Sequence, residues 1–531
     1  MSTLTGTGSM VLVILRRDRV KLLAWFGLVA LIVVGVASAV GSAYPTEAAR
    51  RAFAATTNGD PAQLFMIGPI YDTSAAGLGA WRVRGQAALL LGLATLLLVV
   101  RNTRGEEESG RAELLGSTVV GRHASLTATL TVAFCANLVT AALVTLGLAA
   151  VGFPVAGSLL AALSFAACGW VMAGTAALAA QLTGGARAAA GIASAVMAAW
   201  YVLRGVADAG PAPWASWLSP FGWAQGVRPF AGDHVWPLLP VAGAAVLLTG
   251  AAYLLAARRD LGAGLLPDRP GPAAAAPGLR GPFALAWRQH RGMLVAWTAG
   301  TLLLGAALGG TAQGIARQLG ASDALRGLIE RMGGGARPVD GFFATIVYLA
   351  AQVLTIYAIE ATLRPHAEET AGRAAAVLAG PVGRVRWAAG HLAVAALGSV
   401  VVLAGLGLGI GVVYGLTTGT AAHEVPRLLA AALVRAPSVL VLAALAAALY
   451  GVAPRLAAPV TYTVLGGLLA LELAVELGGA DASILSLSPF ARTPALPGAA
   501  FTVTPLLWLA AVAAALTAAG LFALRRRDLT G

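Results

Sequence analysis

Glu106, Glu107, Gly110, Arg111 and Glu113 stand in a stretch whose charge density differs from the apolar sequence on either side. The pattern returns as Glu368, Glu369, Gly372 and Arg373, and Gly121-Arg122 returns in phase as Gly383-Arg384. Paired carboxylates do acid–base work only where their surroundings push the two pKa values apart. Adjacent glutamates on a solvated helix have no such surroundings, so a catalytic pair is not the reading. The spacing instead favours a charged, surface-lying helix that appears twice. Thr103-Arg-Gly-Glu106 matches a capping box, and Pro365 suits the first turn of the second copy. Glu107–Arg111 and Glu369–Arg373 are spaced as i, i+4 ion pairs with Glu first. Gly110 and Gly372 are predicted in mid-helix, where Gly costs about 1 kcal/mol relative to Ala; that points to close approach of their backbone to something else. The second copy is the more apolar, with Thr370 for Glu108 and Ala375 for Glu113.

Other chemistry finds little support. A P-loop needs a lysine that reaches the phosphates, and the single lysine, Lys21, is preceded by Arg19-Val20 and followed by Leu22, so this sequence holds no standard Walker A. Cys135 and Cys168 both lie in apolar runs and read as reduced packing residues, with no metal site or disulfide framework. His123 and His366 are lone histidines near the ends of the charged stretches. No nucleophile stands with a base, so an enzyme is not predicted.

These stretches have to be positioned by something, and composition says what. The 531 residues are 58% hydrophobic and 11% charged, with mean hydropathy +0.80, against about 25% charged residues in soluble domains. Many apolar runs reach the roughly 20 residues that span a bilayer. The chain is therefore expected to be an all-α polytopic membrane protein. Twelve transmembrane helices are expected, at about 22–42, 85–100, 124–151, 157–180, 186–207, 237–257, 292–313, 341–363, 388–416, 428–452, 456–477 and 502–524. Met10 to Lys21 reads as an interfacial amphipathic segment. Its resemblance to a cleaved signal peptide is outweighed because Arg16, Arg19 and Ala24-Trp25 recur in phase as Arg288, Arg291 and Ala296-Trp297. Residues 43–84 and 314–340 read as polar outer segments. Gly407, Gly411 and Gly415 are spaced for close helix packing.

The landmarks repeat in order. Leu218-Ser-Pro-Phe221 returns as Leu487-Ser-Pro-Phe490, and Arg258-Arg259-Asp260-Leu261 as Arg526-Arg527-Asp528-Leu529. An internal duplication follows: a first half at 1–261, a Pro/Ala/Gly linker at 262–282, and a second half at 283–531. Six spans per half make the halves parallel. Placing both charged stretches, the linker and both termini on one side puts 23 of the 36 basic residues there, which marks that side as cytoplasmic. The net charge of +13 is thus explained by orientation, and no nucleic-acid partner is predicted.

The succession of Arg, a Glu pair, Gly-Arg, Leu114-Leu115 and a Val-Gly-Arg (Pro381-Val-Gly383-Arg384 in the second copy) resembles the segment that precedes the third span in ABC exporter permeases of the type-two class. It is most similar to the double-length actinobacterial form that exports polyketide antibiotics and other drugs, and the resemblance runs over essentially the whole chain. It implies that each charged stretch is a coupling helix docking on a separate cytoplasmic ATPase, two copies per chain, with ATP and Mg held in that partner and no cofactor here. It implies that the contacts are Glu106, Glu107, Gly110 and Arg111, with Glu368, Glu369, Gly372 and Arg373. It implies short re-entrant outer helices at Pro211 to Trp223 and Ser483 to Pro497, and a substrate path lined by the second and fifth spans of each half. The polar-aromatic residues there are Gln86, Trp200, Tyr201, Tyr348, Gln352 and Tyr462. The cargo implied is a hydrophobic, drug-like molecule leaving the cell, and the location a bacterial plasma membrane. A second reading is a proton-coupled secondary multidrug transporter, which needs intramembrane ionisable groups. Glu360 reads as a local pair with Arg364, and Glu472 and Glu476, on one face near the outer end of their span, as snorkelling or helix-end groups.

Overall fold

Apolar runs of membrane length can satisfy their backbone groups in lipid only as helices, and the computed structural model is helical throughout its long elements. It describes residues 2–210, 212–260, 262–266, 274, 278–279, 281–320, 338–476 and 482–527. Pro211, Leu261, Asp528, Leu529, most of 262–282 and most of 314–340 lie outside the described residues, as does the side chain of Glu476. Among the described residues, twelve helices are long and apolar enough to cross a membrane. They fall into two units, Met1–Gly271 and Pro272–Gly531, each with six.

In the first unit, α1 (Thr7–Leu22) runs through a π-helical turn, Leu23–Gly27, into α2 (Leu28–Ala43). The amphipathic start is thus one rod with the first span, because nothing in the sequence breaks the helix between them. The outer segment after it, read as polar turns, forms α3 (Glu47–Asn58) and α4 (Pro61–Met66). Thr46 caps α3 by accepting from the Ala49 amide at 3.2 Å. Next come α5 (Ala75–Asn102), α6 (Arg104–Glu108), α7 (Arg111–Gly116), α8 (Ala124–Ala150), α9 (Val155–Leu182) and α10 (Ala186–Ala209). A 3₁₀ turn (Pro213–Leu218), α11 (Pro220–Gly226) and α12 (Leu238–Ala256) complete the unit. α5 and α9 are its most buried spans. Leu96, Val99, Leu130 and Met172 fill one side of them, and Phe26, Leu91, Leu148 and Phe165 the other. α12 turns Leu239, Val246 and Leu247 outward, as a lipid-facing helix should.

The second unit has α13 (Pro282–Gly320), α14 (Pro338–Thr362), α15 (Arg364–Thr370), α16 (Arg373–Leu378) and α17 (Arg384–Thr418). They are followed by α18 (Ala421–Leu433), α19 (Ala436–Val452), α20 (Pro454–Glu476), a 3₁₀ turn (Ala482–Leu487) and α21 (Thr504–Arg526). Its core joins Phe343, Val347, Leu354, Tyr357, Leu406 and Leu442. The three spaced glycines of α17 do what their spacing predicts. A Cβ on Gly407, Gly411 or Gly415 would fall within 2.8 Å of the α18 backbone, so α17 and α18 pack backbone to backbone.

Candidate functional site

Each charged stretch folds as two short helices with a glycine at the corner, not as one helix. Gly110 joins α6 to α7 at φ +74°, and Gly372 joins α15 to α16 at φ +70°. The mid-helix expectation is thereby corrected. Glycine is required because the corner is left-handed, and no atom lies within 4 Å of where either Cβ would stand. The capping box is corrected too: Thr103 Oγ1 donates to the Val99 carbonyl at 2.7 Å and does not cap α6.

The expected Glu107–Arg111 and Glu369–Arg373 pairs give way to other partners, because the corner moves each arginine off the glutamate's helix. Arg111 Nη1 lies 3.6 Å from Glu106 Oε1, and Arg373 Nε donates to Glu368 Oε2 at 2.7 Å. The second glutamate of each stretch is turned inward. Glu107 Oε2 accepts from Arg104 Nη1 at 2.5 Å, from Arg259 Nη1 at 2.8 Å and from the Gly262 amide at 3.2 Å. Arg259 Nη2 also donates to Glu107 Oε1. Arg104 is fully buried and donates to the carbonyls of Thr183 and Ala263. In the second unit Glu369 Oε2 accepts from Arg527 Nη2 at 2.8 Å and from Tyr450 Oη at 2.9 Å. A carboxylate accepting several charge-assisted bonds in such a pocket is strongly fixed.

The remaining glutamates anchor the opposite edge. Glu106 Oε1 accepts from Arg17 Nη1 of α1 at 2.7 Å. Glu108 accepts from the Ala186 amide at the start of α10 at 3.0 Å. Glu368 is buried, with Arg364 Nε at 3.2 Å, so Arg364 serves Glu368 and the expected Glu360–Arg364 pair does not form. Beneath these stretches the units differ. In the first, buried Asp18 holds Arg101 at 2.9 Å and Asn102 Nδ2 at 3.1 Å. At the matching place of the second, His290 Nε2 and His391 Nδ1 face each other at 3.0 Å, both buried. A cavity of about 520 Å³ opens behind the first stretch, lined among others by Ile14, Arg17, Glu106, Gln181 and Arg259.

The outward faces carry Leu114, 73% exposed, with exposed Arg111 and Glu113 in the first unit and exposed Arg373, Ala375 and Ala376 in the second. Sequence reasoning missed Arg259, Arg527, Asp18 and Tyr450 as partners. The recurrence of the two Arg-Arg-Asp-Leu ends was the available signal for the two arginines, since both copies point to one job.

The polar-aromatic residues separate into two groups, one in each unit. Gln86 is exposed on α5. Tyr201 on α10 donates to the Met66 carbonyl, under the Arg204 guanidinium, which lies 4.6 Å from its ring centre. Trp200 gives its carbonyl to Ser219 Oγ at 2.8 Å. Around Tyr201, Arg204 meets Asp208 at 3.3 Å and Gln225 Nε2 donates to Asp208 at 3.0 Å. In the second unit Tyr348 and Gln352 of α14 both donate to Glu472 of α20, while Tyr462 stays 38% exposed on α20. The snorkelling expectation for Glu472 is thus corrected: it is tied across two spans. Among the described residues no group of three or more His, Cys, Asp or Glu side chains could hold a metal ion.

Two comparisons bear on this arrangement. Residues 279–525 match the family model described as the C-terminal domain of the multidrug efflux system permease Rv1217c. Over 530 residues, 99% of this chain and 96% of the relative, the sequence is 43% identical to the multidrug efflux system permease protein Rv1217c of Mycobacterium tuberculosis (strain ATCC 25618 / H37Rv). With twelve membrane-length helices among the described residues and identity along nearly its full length, the chain belongs to the family of multidrug efflux system permeases similar to Rv1217c, and is a multi-pass membrane protein with a transport role.

Proposed function

We propose that the chain is the membrane-spanning subunit of an ATP-driven ABC exporter that moves hydrophobic, drug-like molecules, antibiotics among them, out of the cell. One observation supports this above others. Each unit bears one glycine-cornered pair of short helices, latched by its second glutamate to the arginine at the end of that unit's last span. Such an element has an inner face fastened to its own bundle and an outer face left for a partner. A force applied to the outer face passes directly to a span, which is what coupling to an ATPase requires.

In this reading α6–α7 and α15–α16 each dock on one cytoplasmic ATPase subunit, so two copies serve one chain. ATP and Mg are held in that partner. The halves are a duplication, 1–261 and 283–531, joined by a cytoplasmic linker. The chain sits in a bacterial plasma membrane with both termini in the cytoplasm, and the cargo passes along the second and fifth spans of each half. The test is capture of the ATPase. The tagged chain is purified from its native membrane in mild detergent and the proteins that accompany it are identified. A nucleotide-binding subunit at two per chain, required for efflux from vesicles, is the expected result. A chain that comes out alone and moves drugs on a pH gradient without ATP is the proton-coupled transporter instead.

A further inference from the structure

We propose that Glu472 is a binding group for the positive charge of amphiphilic cargo, at the crossing of α14 and α20 in the second unit. The proposal rests on the exporter reading for its context and names a class of substrate that reading leaves open.

Glu472 sits about 27 Å along α20 from its first residue. It stands one turn before the end of α20 at Glu476 and turns its side chain onto α14 at Tyr348 and Gln352, about 15 to 21 Å in from that helix's start. Its oxygens are held by neutral donors: Tyr348 Oη at 2.5 Å, Gln352 Nε2 at 2.5 Å and Ser488 Oγ at 3.3 Å. Among the described residues no cationic side chain pairs with it. Arg435 lies against the Tyr348 ring, 5.3 Å from its centre. It donates to Thr493 Oγ1 at 2.5 Å and to the Phe490 carbonyl, and makes no direct bond to Glu472. A carboxylate between two spans with no cationic side chain in direct contact is costly, and such groups in membrane proteins mark functional sites.

The geometry also says which ligand fits. A carboxylate has about four acceptor positions, and three are used by short or moderate bonds, which leaves room for one more donor or cation. Gln352 is buried, and its carbonyl oxygen Oε1 has no hydrogen-bond partner. A cationic group placed at Glu472 would meet a full negative charge and an unused acceptor together. Exposed Leu349 and Val353 of α14 and Leu469 of α20 offer apolar surface for the rest of an amphiphile. A neutral molecule would gain nothing from the charge.

The test uses the full chain in mild detergent and two fluorescent probes: ethidium, a permanent cation that has no proton to lose, and N-phenyl-1-naphthylamine, which is neutral. Glu472→Gln is expected to weaken ethidium binding about tenfold or more, since a charge-assisted contact is lost, while the neutral probe moves less than about twofold. Glu472→Asp, which keeps the charge, should fall between. Three outcomes overturn the proposal: ethidium that does not bind the native chain, ethidium binding unchanged in Glu472→Gln, or equal weakening of both probes, which would mean a merely structural carboxylate. Size-exclusion and thermal unfolding profiles show that the variants are folded. Binding is measured without ATP, so the exporter reading stands or falls separately: ethidium bound through Glu472 but not exported with the ATPase present would sink that reading and leave the site.

Discussion

Arg259 grips Glu107 with both terminal nitrogens, Nη1 on Oε2 at 2.8 Å and Nη2 on Oε1. Both side chains are nearly buried, at 8% and 10% exposure. In the second unit Arg527 meets Glu369 through one nitrogen, Nη2 lying 3.1 Å from Oε1 and 2.8 Å from Oε2. Each pair joins the element after the second span to the end of the sixth, two places far apart in sequence. Arg122 and Arg384 add a brace to the same corner, donating to the carbonyls of Arg259 and Arg527 at 3.2 and 2.7 Å.

Breaking a buried pair leaves an uncompensated charge, a cost of about 3 kcal/mol or more. Arg259→Glu alone should therefore lower the thermal midpoint of the chain in detergent and abolish efflux. The exchange Arg259→Glu with Glu107→Arg should recover part of both. Recovery will be incomplete, because Glu107 also serves Arg104 and the Gly262 amide. Equal losses in single and exchanged variants would remove the latch.

The two outward faces predict unequal docking. Leu114 is an exposed leucine, while the matching position of the second element is Ala376. Desolvating a leucine contributes about 1.5–3 kcal/mol and an alanine much less. Leu114→Asp should strip the ATPase from the purified chain, and Ala376→Asp should weaken it far less. Neither touches the core, so both variants should unfold at the native temperature. Equal retention of the ATPase by both variants would put the contact elsewhere.

At the corners the requirement is conformational. Asparagine tolerates the left-handed region and a β-branched residue does not, with a penalty of about 1–2 kcal/mol for an ordinary side chain. Gly110→Asn should keep efflux and Gly110→Val should lose most of it. Space is not at issue, since nothing lies near the added Cβ. If Val were tolerated as well as Asn, the corner would not matter for coupling.

Much of this architecture could be read in the sequence because bilayer thickness and backbone satisfaction leave one solution for long apolar runs. Phase-locked landmarks then showed where the important polar residues recur. What could not be read was the partner of each charge. Glu107 and Arg111 have ideal helical spacing, yet one glycine at positive φ redirects both, and a φ sign is invisible where Gly is also tolerated in helices. Repeats also mislead in detail. Ser219 and Ser488 occupy the same motif, but one binds the Trp200 carbonyl and the other Glu472. Asp18 and His290 occupy matching positions with opposite chemistry, and only their three-dimensional neighbours reveal it.

That last difference yields a prediction about the second unit. His290 and His391 are each other's ring partner, and their outer nitrogens, Nδ1 and Nε2, have no hydrogen-bond partner. His391 also packs edge-on to Trp387, with ring centres 5.4 Å apart. Replacing His391 alone with Leu leaves the inner nitrogen of His290 buried and unpaired, a penalty of about 1–3 kcal/mol. Replacing both with Leu removes the orphan along with the bond, and substituting both partners by apolar groups can be nearly neutral. The double variant should therefore unfold at a higher temperature than the single one, the reverse of additive loss. A double variant less stable than either single would show that the imidazoles contribute through packing shape, and that the bond between them adds nothing.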